Sequence, residues 1–229
     1  MYPNSKYNIW EHSSNVRKLY AERCRDEIEE MTCARQCAEI LQPLLDEGAT
    51  VLDAGCGSGY YWHSLRRYGV RCQYYGIDYA PTLIDIGRRL MPDYDLPATR
   101  LSTAMIEDLD TQYDAVICFN VLPWLPHYHH ALERLCAASN RYLLIRTALA
   151  PQEQIRYQLD GYLDDGYNHL NAYWNIYAQA DFEGFMQERG FQIRHIRDER
   201  TDDGVEMVVD IPFPWRIVLG ERVETNSGH

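Results

Sequence analysis

Val51-Leu52-Asp53-Ala54-Gly55-Cys56-Gly57-Ser58-Gly59-Tyr60-Tyr61 decides how this chain folds. Thr50-Val51-Leu52 is short and apolar, which predicts a buried strand. Three glycines at alternate positions then predict a tight loop whose backbone takes positive φ and comes close to a ligand. A helix near Tyr61–Arg67 follows. A dinucleotide-binding loop is spaced Gly-x-Gly-x-x-Gly, so that the helix N-terminus receives a pyrophosphate. Here the third glycine, Gly59, comes one residue early and Tyr60 stands in its place. Asp53, just ahead of the first glycine, repels a pyrophosphate and attracts an ammonium.

Outward from this loop the chain alternates. Gln73–Ile77 reads as a strand. Pro81–Leu90 reads as a helix, opened by Pro81 at its first position and stopped by Pro92. A strand near Ala98–Ser102, a strand over Asp114–Phe119, an amphipathic helix over Tyr128–Ala138 and a strand over Tyr142–Ile145 complete the run. Alternating strands and helices predict parallel strands with helical crossovers, hence a doubly wound α/β sheet. Residues 1–46 read as a helical N-terminal arm, capped by Ser13 or Ser14, with Val16, Leu19 and Tyr20 at helical spacing. Residues 150–178, rich in Tyr, Asn and Gly, read as an insertion after the fifth strand, placed to act as a lid or substrate wall. A helix over Asp181–Arg189 ends at Gly190. Phe191–Ile196, Val205–Ile211 and Arg216–Leu219 follow without helices between them, which predicts an antiparallel edge. The 229 residues thus read as one domain: the arm, a cofactor-binding core over 47–149, the insertion, and a C-terminal helix with strands over 179–229.

Asp78 ends the second strand. A carboxylate there can accept both hydroxyls of a ribose, and it can also cap the next helix. This residue alone does not separate NAD from S-adenosylmethionine.

The motifs Val51–Tyr60, Tyr75-Gly76-Ile77-Asp78, Ile106-Glu107-Asp108-Leu109 and Tyr113–Leu125 resemble those of class I S-adenosylmethionine-dependent methyltransferases, of the small-molecule kind that includes quinone-biosynthesis enzymes. The resemblance implies a mostly parallel seven-stranded sheet whose last strand is antiparallel. It implies S-adenosylmethionine as cofactor, S-adenosylhomocysteine as product, and in-line transfer of a methyl group to O, N or C of a small organic acceptor. Gly55, Cys56, Gly57 and Tyr60 would then lie along the methionine part, with Asp53 near its ammonium. Asp78 would hold the ribose and Tyr79 would flank the adenine. Met105 stands where the family usually has an Asp that bonds the adenine amino group. Met105 and Ile106 are therefore expected to grip the ring by packing, with Glu107 or the Ile106 backbone N–H supplying polarity. Asn120 and Val121 match the segment beside the methionine moiety.

The acceptor side is less determined. Trp124 and His127 follow the fourth strand, and His127 is the candidate general base for an acceptor hydroxyl. Trp124, Tyr173 and Tyr177 are expected in the pocket wall. Tyr7 and Trp10 of the arm are expected to fold over it.

The chain has 34 acidic and 22 basic residues, a net charge of −12, which argues against a nucleic-acid partner. No apolar run approaches the ~20 residues that a bilayer span needs, and the first residues lack the apolar core of a secretory signal. A cytoplasmic protein with no membrane partner, monomeric or homodimeric, is expected. Seven scattered cysteines read as reduced, mostly buried thiols. Cys33 and Cys37 share a helix face, but no second pair completes a zinc site, so no metal is expected. Two other functions fit the same loop: an NAD(P)-dependent oxidoreductase, and a non-catalytic cofactor-binding module on this fold.

Overall fold

A computed structural model describes residues 9–159, 170–208 and 210–223. Tyr7 lies outside the described residues. The arm forms α1 (Ile9–His12), α2 (Ser14–Cys24) and α3 (Thr32–Leu41). Ser13 caps α2, its hydroxyl accepting from Val16 N at 3.1 Å. Asp26, at φ 56, breaks the path between α2 and α3.

The alternation follows: β1 (Thr50–Ala54), α4 (Tyr61–Arg67), β2 (Gln73–Asp78), α5 (Pro81–Leu90), β3 (Leu101–Thr103), β4 (Tyr113–Phe119), α6 (His129–Ala138) and β5 (Ser139–Ala150). The third strand starts later than expected, because Ala98–Arg100 after Pro97 forms a 3-10 turn. The insertion contributes a hairpin of β6 (Tyr157–Leu159) and β7 (Asn171–Tyr173), then a two-residue strand β8 (Tyr177–Ala178) beside the end of β5. The chain closes with α7 (Gln179–Gln187), β9 (Phe191–Ile196), β10 (Glu206–Val208), β11 (Ile211–Phe213) and β12 (Trp215–Arg222).

The main sheet runs β3-β2-β1-β4-β5-β12-β9, with β8 attached to β5. β12 is antiparallel to both neighbours, and the other pairs along the path are parallel. The doubly wound, mostly parallel seven-stranded sheet is therefore the observed fold. One expectation needs correction: Val205–Ile211 does not join the sheet edge. The left-handed Asp210 (φ 61) turns the chain, and β10 pairs back onto β11 in a separate hairpin. Pro212, which has no N–H to donate, sits inside that hairpin.

Side chains alternate across the sheet. Ala115, Ile117 and Phe119 face one core with α3, α4 and α5, while Val116 and Cys118 face the other with α6 and α7. A third apolar cluster, containing Trp174, Phe213 and Trp215, lies beyond the carboxyl end of β5. All seven cysteines are free thiols and six are buried. Among the described residues no helix is long and apolar enough to cross a membrane.

Candidate active site

A cavity of about 520 Å³ runs along the carboxyl edge of the sheet. Its lining passes from Asp78 at the end of β2 and residues 104–107 after β3, across Asp53 and Gly55 at β1, to Asn120 and Val121 after β4. It ends at Trp215, which starts β12 and pairs with Ala148 near the end of β5. Antiparallel β12 thereby brings its first residue to the edge where the parallel strands finish. Arm residues Trp10, Tyr20 and Arg23 close one side, and Tyr157, Tyr173 and Trp174 of the insertion close another.

The loop after β1 adopts the backbone that its glycines permit. Gly55 has φ +86, and a Cβ there would stand 2.2 Å from Val121 Cγ2. Gly57 has φ +58, and a Cβ there would stand 2.2 Å from the Tyr20 ring. The N–H groups of Gly55 and Cys56 both donate to Ile77 O, at 2.8 and 2.9 Å. The loop is thus fastened to the end of β2.

Asp78 receives Gly57 N on one oxygen at 2.8 Å and Ala80 N on the other at 2.9 Å. An ionised carboxylate offers about four acceptor positions, so acceptor capacity remains beyond these two bonds. Burial pushes the Asp78 carboxyl up to about 6, opposed by these two backbone donors and reinforced by the charge of Glu11. Asp53 is 3% exposed and accepts the Tyr74 hydroxyl at 2.7 Å. Burial pushes Asp53 up to about 7, with the Tyr74 bond opposing and the Asp78 charge adding. At the β3 side, Glu107 lines the cavity with Oε1 buried and without a hydrogen-bond partner. Burial raises its carboxyl as well.

On the arm, the Arg23 guanidinium lies over the rings of Tyr20 and Tyr60, at 5.2 and 4.9 Å, and Arg23 Nε is buried without a partner. Glu11 latches the arm to the start of α5: its carboxylate accepts Thr82 N at 3.0 Å and the Thr82 hydroxyl. After β4, Asn120 adopts φ 62, and its N–H donates to Arg146 O. Buried Arg146 reaches the Asn120 side-chain oxygen and pairs with Asp198, which is fully buried. The Trp124 indole donates to Asn120 O at 2.6 Å.

The cavity brings together Asp53, Gly55, Cys56, Tyr60, Asp78, Tyr79, Met105, Ile106, Glu107, Asn120 and Val121, with Trp10, Trp124 and Tyr173. Gly57 does not line it; it supports Asp78 from behind while Tyr20 covers it. Tyr177 is corrected from pocket wall to core. It is fully buried, and its hydroxyl donates to Leu122 O at 2.6 Å. His127 is corrected as general base. It is exposed and off the lining, where Pro126 forms the wall. Burial holds the Cys56 thiol well above its ordinary range, which suits a small loop residue and no nucleophile. Arg23, Trp215 and the Arg146–Asp198 pair were not foreseen. Only Tyr20, spaced three residues before Arg23 on the arm helix, hinted at the first of them.

The donor set matches a nucleoside with a zwitterionic amino-acid tail. Asp78 keeps acceptor capacity at the end of β2, an unpartnered carboxylate oxygen of Glu107 lines the same cavity, and Asp53 and Arg23 share it with Gly55, which presents no Cβ. Comparison with known proteins points the same way. The methyltransferase-domain family matches residues 23–196. A protein of Rickettsia prowazekii, RP028, is 33% identical over 88 residues, 37% of this chain and 35% of that one. The chain spans about a third of the length of the curated relatives it matches. Magnesium protoporphyrin IX methyltransferase from Synechocystis PCC 6803, solved with bound S-adenosylmethionine, superposes with a TM-score of 0.63 at 17% identity, covering 96% of this chain and 98% of that one. The 1,6-didemethyltoxoflavin-N1-methyltransferase of Burkholderia thailandensis, solved with bound 1,6-didemethyltoxoflavin and S-adenosylhomocysteine, gives a TM-score of 0.56 at 15% identity, covering 91% of this chain and 88% of that one. By its sequence match over three-quarters of its length, and with the fold of the S-adenosylmethionine-dependent methyltransferases, the chain belongs to the methyltransferase-domain family.

Proposed function

We infer that this protein transfers the methyl group of S-adenosylmethionine to a small organic acceptor. The observation that carries the reading is Asp78: a carboxylate fixed by the N–H groups of Gly57 and Ala80, in one cavity with Asp53 and Gly55. Asp78 accepts the ribose hydroxyls. Glu107 accepts the adenine amino group, replacing the acid that is missing at Met105, and Met105, Ile106 and Tyr79 pack the ring. Asp53 and Arg23 take the ammonium and the carboxylate of the amino-acid tail, and Gly55 leaves room for it.

When bound, the cofactor supplies a methyl group already activated on a sulfonium, so the chain's own work is orientation and exclusion of water. Arm and insertion wall the cavity for that purpose. The free thiols support a reducing, cytoplasmic setting. The net charge of −12 supports a small-molecule acceptor over nucleic acid. Asp53 beside the loop disfavours the pyrophosphate of NAD(P).

Thermal-shift and calorimetric titration test this. S-adenosylhomocysteine should stabilise the protein and NADH should not. Asp78→Ala removes two charge-assisted acceptors, together about 3 kcal/mol, and should weaken S-adenosylhomocysteine about 100-fold. Stabilisation by NADH alone would overturn the assignment.

A further inference from the structure

The far end of the cavity is built differently from the cofactor end. Past Asn120 the walls are indole rings: Trp10 and Trp124 meet edge-to-face at 6.0 Å, Trp124 and Trp174 at 4.6 Å, and Trp215 closes the end. Phe213 lies nearly parallel to Trp124, 24° apart, and keeps that ring upright from behind. Four separate segments supply these rings: the arm, the turn after β4, the insertion and the C-terminal strands. None is needed to hold a nucleoside at β1 and β2.

Two further observations narrow the ligand. Trp215 is 4% exposed, and its indole N–H is buried without a hydrogen-bond partner. A donor left this way is destabilising and is relieved by a lone pair brought to it. The Arg146 guanidinium already lies 4.4 Å from the centre of the Trp215 ring. A second cation against the same indole would face that charge. A protonated amine, besides, has no lone pair with which to accept a methyl group.

Resting on the methyl-transfer reading, we propose that this lobe is the acceptor site and takes a flat, uncharged or anionic aromatic ring bearing a nitrogen or oxygen lone pair that accepts the hydrogen bond of the Trp215 N–H. The rings of Trp10 and Trp124 hold it flat, beside Asn120 and Val121 where the methyl position lies.

Three ring systems of one shape test the proposal at pH 8: quinoline, with a lone pair; naphthalene, without one; and N-methylquinolinium, with a fixed positive charge. Each is titrated by quenching of tryptophan fluorescence and by calorimetry, on the full chain with and without saturating S-adenosylhomocysteine. Quinoline should bind tightest and N-methylquinolinium weakest. Trp215→Phe, which keeps a ring and removes the donor, should weaken quinoline about fivefold and leave naphthalene unchanged. Trp10→Ala, at the half-buried edge of the lobe, should weaken both. Unchanged S-adenosylhomocysteine affinity in each variant shows that it is folded. Tightest binding by N-methylquinolinium, failure of all three rings to bind, or indifference of quinoline to Trp215→Phe would each overturn the proposal. Failure of S-adenosylhomocysteine to bind the wild type would instead sink the donor reading, because the titration without it reads the aromatic lobe alone.

Discussion

Asp53→Asn separates the fold's interest from the ligand's. In the native protein burial holds the Asp53 carboxyl near 7, against an ordinary 3.8. Between those values the native state keeps a proton that the unfolded chain has released. Rising pH therefore costs the wild type stability across that window, and the loss levels off above about 7. At about 1.36 kcal/mol for each pKa unit, the penalty is about 2 kcal/mol at pH 5 and about 4 kcal/mol at pH 8. Asparagine is neutral throughout, and its carbonyl oxygen can still accept the Tyr74 hydroxyl. Its amide N–H groups bring a fixed cost of about 1–3 kcal/mol if they find no partner, but that cost does not titrate. Urea denaturation at both pH values should thus show the variant gaining on the wild type by about 2–3 kcal/mol between pH 5 and pH 8. Over the same range S-adenosylhomocysteine affinity should fall in the variant, because the ammonium has lost its carboxylate. A stability difference that is the same at pH 5 and pH 8 would refute the buried-carboxylate argument. An unchanged affinity would refute the placement of the ammonium.

Other expectations are simpler. For the wild type, S-adenosylhomocysteine should bind about 20-fold more weakly at pH 6 than at pH 8 in calorimetry, as Asp53 and Asp78 protonate near 7 and 6. Asp198→Ala leaves Arg146 buried and unpaired, and urea unfolding should register a loss of about 3–5 kcal/mol. Gly57→Ala drives a Cβ into the Tyr20 ring from a left-handed backbone; it should cost about 1–3 kcal/mol and expose α2 to limited proteolysis. Glu11→Ala removes the cap on α5 and should cost about 1 kcal/mol, measured as a lowered Tm, with faster cleavage of the arm.

The central strands were legible because each is apolar and short, and turn residues punctuate the helices between them. The glycine loop and Asp78 were legible because their chemistry is local: backbone φ and one carboxylate at a strand end. What escaped was contact between distant segments. Arg146 and Asp198 are 52 residues apart and meet only because β12 is slotted between β5 and β9. Trp215 reaches the cavity through the register of that strand, which no periodicity reveals. Val205–Ile211 looked like an edge strand by composition, yet the turn at Asp210 folded it on itself. His127 and Tyr177 were sequence neighbours of pocket residues whose side chains point elsewhere.

The place of β12 also sets a timetable. In chain order β12 follows the other strands of the sheet, yet in space it lies between β5 and β9, and it carries Trp215 to the far wall. During synthesis, β1, β2 and β4, which line the other end of the cavity, emerge long before it. The opposite wall waits for β12 to insert between two strands that precede it in the chain.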